Sequence, residues 1–219
     1  MIHELILLRH AKSAWPVGVR DSDRPLSSRG IRDATTFGRY LVEDERRPDA
    51  VVVSPAVRTR QTWGLVATEV GILESDAVLD ERLYAASWWD VMDVIRGLSA
   101  TASRVLVIGH NPAMEDVAGQ LANDQSNRGA MRELRAKFPT CAAATVHSDL
   151  DWHLWGGQCG ELAELWTPRG HAQRRSLTVV SGRAQSIFLR RRLAAPPSDR
   201  GRQEWRDMPI EYDPPVRGL

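Results

Sequence analysis

The chain predicts a three-layer α/β sandwich. Three observations carry that: short apolar runs alternate with helical periodicities, the runs lack polar alternation, and 219 residues can enclose one sizeable core. Leu5 to Leu8 are four consecutive aliphatics, which read as a strand buried on both faces. Ile31, Ala34, Phe37 and Leu41, with Tyr40 beside them, mark the apolar face of a helix from about Ser28 to Glu43. Asp49 to Ser54 is a second strand, and Ser54-Pro55 offers an N-cap and a proline at the first helical position, opening a helix to about Val70. Trp88 to Leu98 supplies another helix, with Val91, Val94, Ile95 and Leu98 on one side. Adjacent helical residues point apart, so at least one of Trp88 and Trp89 is expected in the core. Arg104 to Gly109 is a third strand, and Asn111-Pro112 opens a helix to about Leu121. Thr140 to His147 and Gly160 to Trp166 read as two further strands near the sheet edge.

Composition narrows the classes. The net charge of +1 hides an asymmetry: residues up to Gly170 hold 19 Lys and Arg against 23 acids, whereas residues 171–219 hold 10 Arg against 5 acids. The division predicts a domain over 1–170 and a basic, Arg/Pro-rich extension over 171–219, disordered or loosely packed. That extension has no aromatic stacking platform, so nucleic acid is not the expected partner. No apolar run is long enough to span a bilayer, and Met-Ile-His-Glu is not a leader pattern, so a cytoplasmic protein is expected. Cys141 and Cys159 form no Cys-x-x-Cys pair and read as reduced thiols. His147 and His153 lack further ligands at metal-binding spacing.

The chemistry lies at the strand ends. The first strand exits into Arg9-His10, the second into Ser54-Pro55-Ala-Val-Arg58-Thr-Arg60-Gln61-Thr62, and the third into His110-Asn111-Pro112. In open α/β sheets ligands bind beyond the carboxyl ends of strands, so three such exits converge on one rim. Helix starts favour anions there, and the guanidinium forks of Arg9 and Arg58 match phosphate oxygens. A phosphoryl site follows, with His10 as a neutral nucleophile and His110 as a cation that stabilises phosphate charge. Arg60, two positions along from Arg58, should face elsewhere.

These segments resemble the three signatures of the histidine phosphatase superfamily, the phosphoglycerate mutase-like family. The run Leu-Leu-Arg-His-Ala-Lys-Ser, with Asp80-Glu81-Arg82-Leu83-Tyr84 and Lys137-Phe138-Pro139-Thr140, is most similar to its SixA-like phosphohistidine phosphatase branch. The resemblance covers about residues 1–170. It implies a mixed, mainly parallel sheet flanked by helices, no metal or other cofactor, and a phosphohistidine enzyme intermediate. Carried over by position, it makes His10 the nucleophile and Arg9, Arg58 and His110 the rest of the phosphate pocket. Lys12 and Ser13, on the loop after the nucleophile, are candidates for contacting the phosphate or the substrate rim.

One departure matters. Many members of the family carry a glutamate proton donor shortly after an Arg-Leu pair, and that position here falls near Ala85. Glu81, Glu115 and Asp116 are the available substitutes. A general acid is typically worth about 10²–10⁴-fold for a poor leaving group, whereas imidazole, with a pKa of about 6.5, leaves with far less protonic help. The reading that follows is a metal-independent phosphatase acting on phosphohistidine in a protein, such as a histidine-phosphorylated signalling protein. The alternatives are a phosphatase for a small phosphoester or nucleotide, and a non-catalytic phosphate-binding module.

Overall fold

The computed structural model describes residues 1–172. The expected basic extension lies, from residue 173 onward, outside the described residues.

Six strands form one sheet: β1 (His3–Arg9), β2 (Ala50–Val53), β3 (Val78–Leu79), β4 (Arg104–Gly109), β5 (Ala143–Ser148) and β6 (Glu161–Trp166). Their spatial order is β3-β2-β4-β1-β5-β6; the first four are parallel, and β5 and β6 are antiparallel to their neighbours. The sheet is therefore mixed and mainly parallel, as expected. Alternate residues of β1 serve opposite cores. Leu5 and Leu7 pack with Val105 and Val107 of β4 beneath α3 (Trp88–Arg96), α4 (Ala113–Leu121) and α5 (Arg128–Ala136). Ile6 and Leu8 pack with Val51, Val53, Leu106 and Ile108 beneath α1 (Ser28–Glu43) and α2 (Val57–Val70). All four β1 aliphatics are at most 1% exposed, and each contributes about 1.5–3 kcal/mol by leaving water. This two-sided burial produces the three layers and explains the unbroken apolar runs.

Several local expectations change. α1 starts where expected, capped by Ser27, whose hydroxyl accepts the Gly30 N–H. Ile31, however, is exposed, and Gly30 is buried in its place. The reason is a close approach: a Cβ on Gly30 would lie 2.1 Å from the Lys12 carbonyl oxygen. α2 begins two residues after Pro55, with Ala56 as its N-cap, and closes at Gly71 in the left-handed conformation. Ser54 does not cap it, because its hydroxyl is engaged with His110. Strand β3 and helix α5 carry too short or too polar a pattern to be read from sequence. The segment before β5 is a turn, with Cys141 at φ +61° donating its N–H to the carbonyls of Arg9 and His10. Trp88 is half-buried against the core, and the Trp89 ring stacks on the Trp88 ring instead of diverging from it. The two rings lie 3.6 Å apart, with Trp89 exposed.

Candidate active site

Register brings the histidines together. β1 and β4 are parallel with Arg9 opposite Gly109, so His10 and His110 are the next residues on adjacent strands. The His10 N–H donates to the Gly109 carbonyl at 3.0 Å, and the two imidazole centroids are 5.1 Å apart. β2 lies on the other side of β4 with Val53 opposite Ile108. Ser54 consequently meets His110, its Oγ 2.8 Å from Nε2. Three strand ends thus place Arg9, His10, Ser54 and His110 on one rim.

The tautomer of His10 follows from its partner. Nδ1 is 2.7 Å from the Ala11 carbonyl oxygen, which can only accept, so Nδ1 carries the proton and Nε2 keeps the lone pair. Burial, opposed by that bond but reinforced by the charges of Arg58, Arg9 and Arg24, lowers the ring's pKa from 6.5 to about 4. His110 drops further, to about 3, through burial first and then the neighbouring His10 and Arg58. The protein's own groups thus favour the neutral form of both rings at pH 7, against the cationic His110 expected from sequence, whereas a phosphate dianion would act in the opposite direction. Nδ1 of His110 is buried with no protein partner among the described residues.

Arg58 stands in the first turn of α2. Thr62, one turn later, donates its hydroxyl to the Arg58 carbonyl at 2.6 Å and accepts the Ala11 N–H at 3.1 Å, which ties α2 to the nucleophile's loop. The guanidinium is oriented by Asp21: Nη1 donates to the Asp21 carbonyl at 2.6 Å and Nη2 to its carboxylate at 3.0 Å. The same carboxylate accepts from Arg24 at 2.8 Å and from the Tyr84 hydroxyl at 3.1 Å. Arg24 foremost, then Arg58 and Tyr84, outweigh Asp21's slight desolvation and hold its pKa at about 2. The Tyr84 ring meets His110 edge-on at 5.7 Å. Arg9 donates to the Phe138 carbonyl at 2.8 Å; burial lowers its pKa while Glu115 opposes that. The Nε atoms of Arg9 and Arg58 have no partner among the described residues.

The other candidates divide. Ser13 is buried with its Oγ accepting from Arg24, so it supports the loop that carries Asp21. Lys12 is exposed, and its carbonyl accepts from the Ser27 N–H and hydroxyl. Glu81 is exposed in a 3-10 turn and contacts neither histidine. Glu115 faces the rim and accepts from Asn111 Nδ2 at 2.7 Å, whereas Asp116 and Arg60 are exposed. Asp21, Arg24 and Tyr84 were not read from sequence. Tyr84 stood inside a familiar segment, but nothing local marks Asp21 as the partner of Arg58, 37 positions on, or Arg24 as the residue that steadies Asp21.

Comparison with known proteins supplies the family. The model of the Histidine phosphatase superfamily (branch 1) matches residues 5–92. A candidate phosphohistidine phosphatase SixA from Nakamurella multipartitia, solved as a structure, is 31% identical, with a TM-score of 0.65 over 77% of this chain and 97% of that one. The chain belongs to the histidine phosphatase superfamily. Within it, the SixA-like branch is also matched by a candidate SixA structure from Agrobacterium tumefaciens, 28% identical, with a TM-score of 0.61 over 76% of this chain and 98% of the other. An uncharacterised protein of Mycobacterium tuberculosis is 36% identical over 163 residues, which are 74% of this chain and all of that protein. Over about three quarters of its length this histidine phosphatase shares its fold with SixA-like proteins, and its two-histidine, two-arginine rim is the candidate active site.

Proposed function

We propose that this histidine phosphatase removes phosphate from phosphohistidine in a protein, without a metal, through a phospho-His10 intermediate. The observation that carries the reading is the absence of any carboxyl group bonded to either imidazole among the described residues. The acids nearest the rim are committed elsewhere: Asp21 is ionised between Arg24 and Arg58, and Glu115 is bonded to Asn111. Neither geometry supplies a proton to a departing alkoxide. A phosphohistidine whose distal ring nitrogen is protonated releases neutral imidazole and needs no proton at the breaking bond.

His10 Nε2 attacks phosphorus in line, and the new P–N bond forms as the substrate's P–N bond breaks. Nδ1–H, held by Ala11, stabilises the ring while it carries the phosphoryl group. The free N–H groups of Arg9 and Arg58 and Nδ1 of His110 are the atoms available to the phosphoryl oxygens. If Ser54 donates to His110 Nε2, Nδ1 bears the hydrogen and donates as a neutral ring. The arriving dianion would also raise the pKa of both histidines. Water then cleaves the P–Nε2 bond and restores His10.

The test is turnover of a phosphohistidine protein beside a panel of small phosphoesters and nucleotides, with chelator present, in wild type and His10→Ala. The expected result is chelator-resistant activity, highest on phosphohistidine. His10→Ala should lose essentially all turnover and the acid-quenched phosphoenzyme, yet still bind phosphate weakly. Full activity in that variant would refute the nucleophile, and a strong preference for esters would refute the substrate.

A further inference from the structure

A cleft of about 390 Å³ opens beside the nucleophile pocket and shares Arg9 with it. Its charged lining is Arg9, Lys12, Arg29, Lys137 and Arg169, and its remaining lining residues are uncharged prolines and threonines. Five cations from four stretches of chain meet there: the end of β1 and the loop after it, the start of α1, the turn after α5, and the residues after β6. Of these, Arg29 is paired with Asp33 at 3.2 Å. Lys12, Lys137 and Arg169 have no carboxylate within ion-pair distance among the described residues, and neither has Arg9. Lys12, Lys137 and Arg169, without paired carboxylates, converge with two further cations on one concavity and repel one another, and that cost is recovered when an anion binds.

We infer that this cleft docks an acidic segment of the protein substrate, next to the histidine whose phosphate is transferred. The inference rests on the reading of the site given under Proposed function. Three features favour carboxylates on a protein. Lys12, Lys137 and Arg169 are exposed, and the two lysines offer point charges on flexible stems that can meet separate carboxylates, rather than a set of guanidinium forks that grips one phosphate. The cleft is larger than a single phosphoryl group needs, and its continuity through Arg9 allows one chain to occupy both places. The protein's own basic C-terminal stretch, with 10 Arg against 5 acids over residues 171–219, has the wrong net charge to fill it. Acid-rich sequence flanking the phosphohistidine has the complementary one.

The experiment uses the full-length chain with three probes: free phosphohistidine, a phosphohistidine peptide flanked by Asp and Glu, and the same peptide flanked by Ser. The variant is Lys137→Glu/Arg169→Glu, which leaves His10, Arg9, Arg58 and His110 intact. Exposed ion pairs acting together should give the acidic peptide an advantage of about tenfold in kcat/KM at low salt, fading as salt rises. In the variant that advantage should vanish or invert while turnover of free phosphohistidine stays unchanged. Equal rates on both peptides in active wild type would overturn the docking inference and leave the substrate reading intact. Wild type inert on all three probes would sink the substrate reading itself. A small bisphosphate preferred over the acidic peptide, with the preference lost in the variant, would reassign the cleft to a second phosphate and overturn the peptide assignment.

Discussion

His10 and His110 are adjacent imidazoles that both lose basicity, through burial first and then through Arg58, Arg9 and Arg24 for His10 and through His10 and Arg58 for His110, and the consequence is measurable. With a pKa of about 4, His10 is a free nucleophile well below the range of an ordinary histidine. The acid limb of kcat/KM that belongs to the enzyme should fall near pH 4 once the substrate's own ionisation is accounted for. A limb near 6.5 would mean that the ring is solvated in a way its 9% exposure does not allow. Residue identities at this scale were readable because Arg-His, Ser-Pro-x-x-Arg and His-Asn-Pro stand directly at apolar run ends. His110's charge was not, because burial and a second histidine 100 positions away set it.

Elements act on the site through their packing. α1 seats its first turn on the backbone of the nucleophile loop: Ser27 accepts from Gly30 and bonds to the Lys12 carbonyl, which also touches Gly30. Glycine to alanine within an exposed helix would stabilise by about 1 kcal/mol. At Gly30 the sign reverses, since the new Cβ would sit 2.1 Å from a backbone oxygen. Gly30→Ala should cost about 1–3 kcal/mol as an overpacked contact, seen as a lower thermal midpoint. It should also reduce kcat, because Lys12 is two residues from His10. The helix itself was legible to the residue from its apolar spacing. That Gly30 rather than Ile31 is buried was not, because the spacing cannot show which part of a face meets another segment's backbone.

Across the molecule, the end of the central strands opposite the active site is fastened by an ionic network. Glu4 accepts from Arg104 at 2.8 Å, from Arg46 at 3.3 Å and from His147 at 3.0 Å, while Arg46 also reaches Glu164 at 2.9 Å and Tyr40 at 2.7 Å. Burial alone would raise the Glu4 pKa, but the bonds from His147 and Arg46 and the charges of Arg46 and Arg104 bring it from 4.5 to about 2. A carboxylate whose pKa is lowered on folding stabilises above its unfolded value, and the contribution is lost as pH falls from 4.5 through about 2. The active-site histidines act in a higher window. Unfolded they take up protons near 6.5, but folded only near 4 and 3, so stability falls as pH drops from 6.5 to about 3. The urea midpoint should decline across both windows. Glu4→Gln should cost on the order of 3 kcal/mol at neutral pH and flatten only the lower one. An unchanged profile in that variant would show that the network contributes nothing net.

Sequence alone determined the three layers, the strand exits and the histidines and arginines at them, because two-sided burial and an abrupt polar exit are local patterns that survive without coordinates. It also marked the empty acid position near Ala85. Only the tertiary structure decided that Asp21 orients Arg58, that Ser54 serves His110 instead of capping a helix, and that Lys12, Lys137 and Arg169 line one cleft with Arg9. Those facts depend on strand register and on which loops meet in space. Pairings between residues tens of positions apart leave no periodicity along the chain.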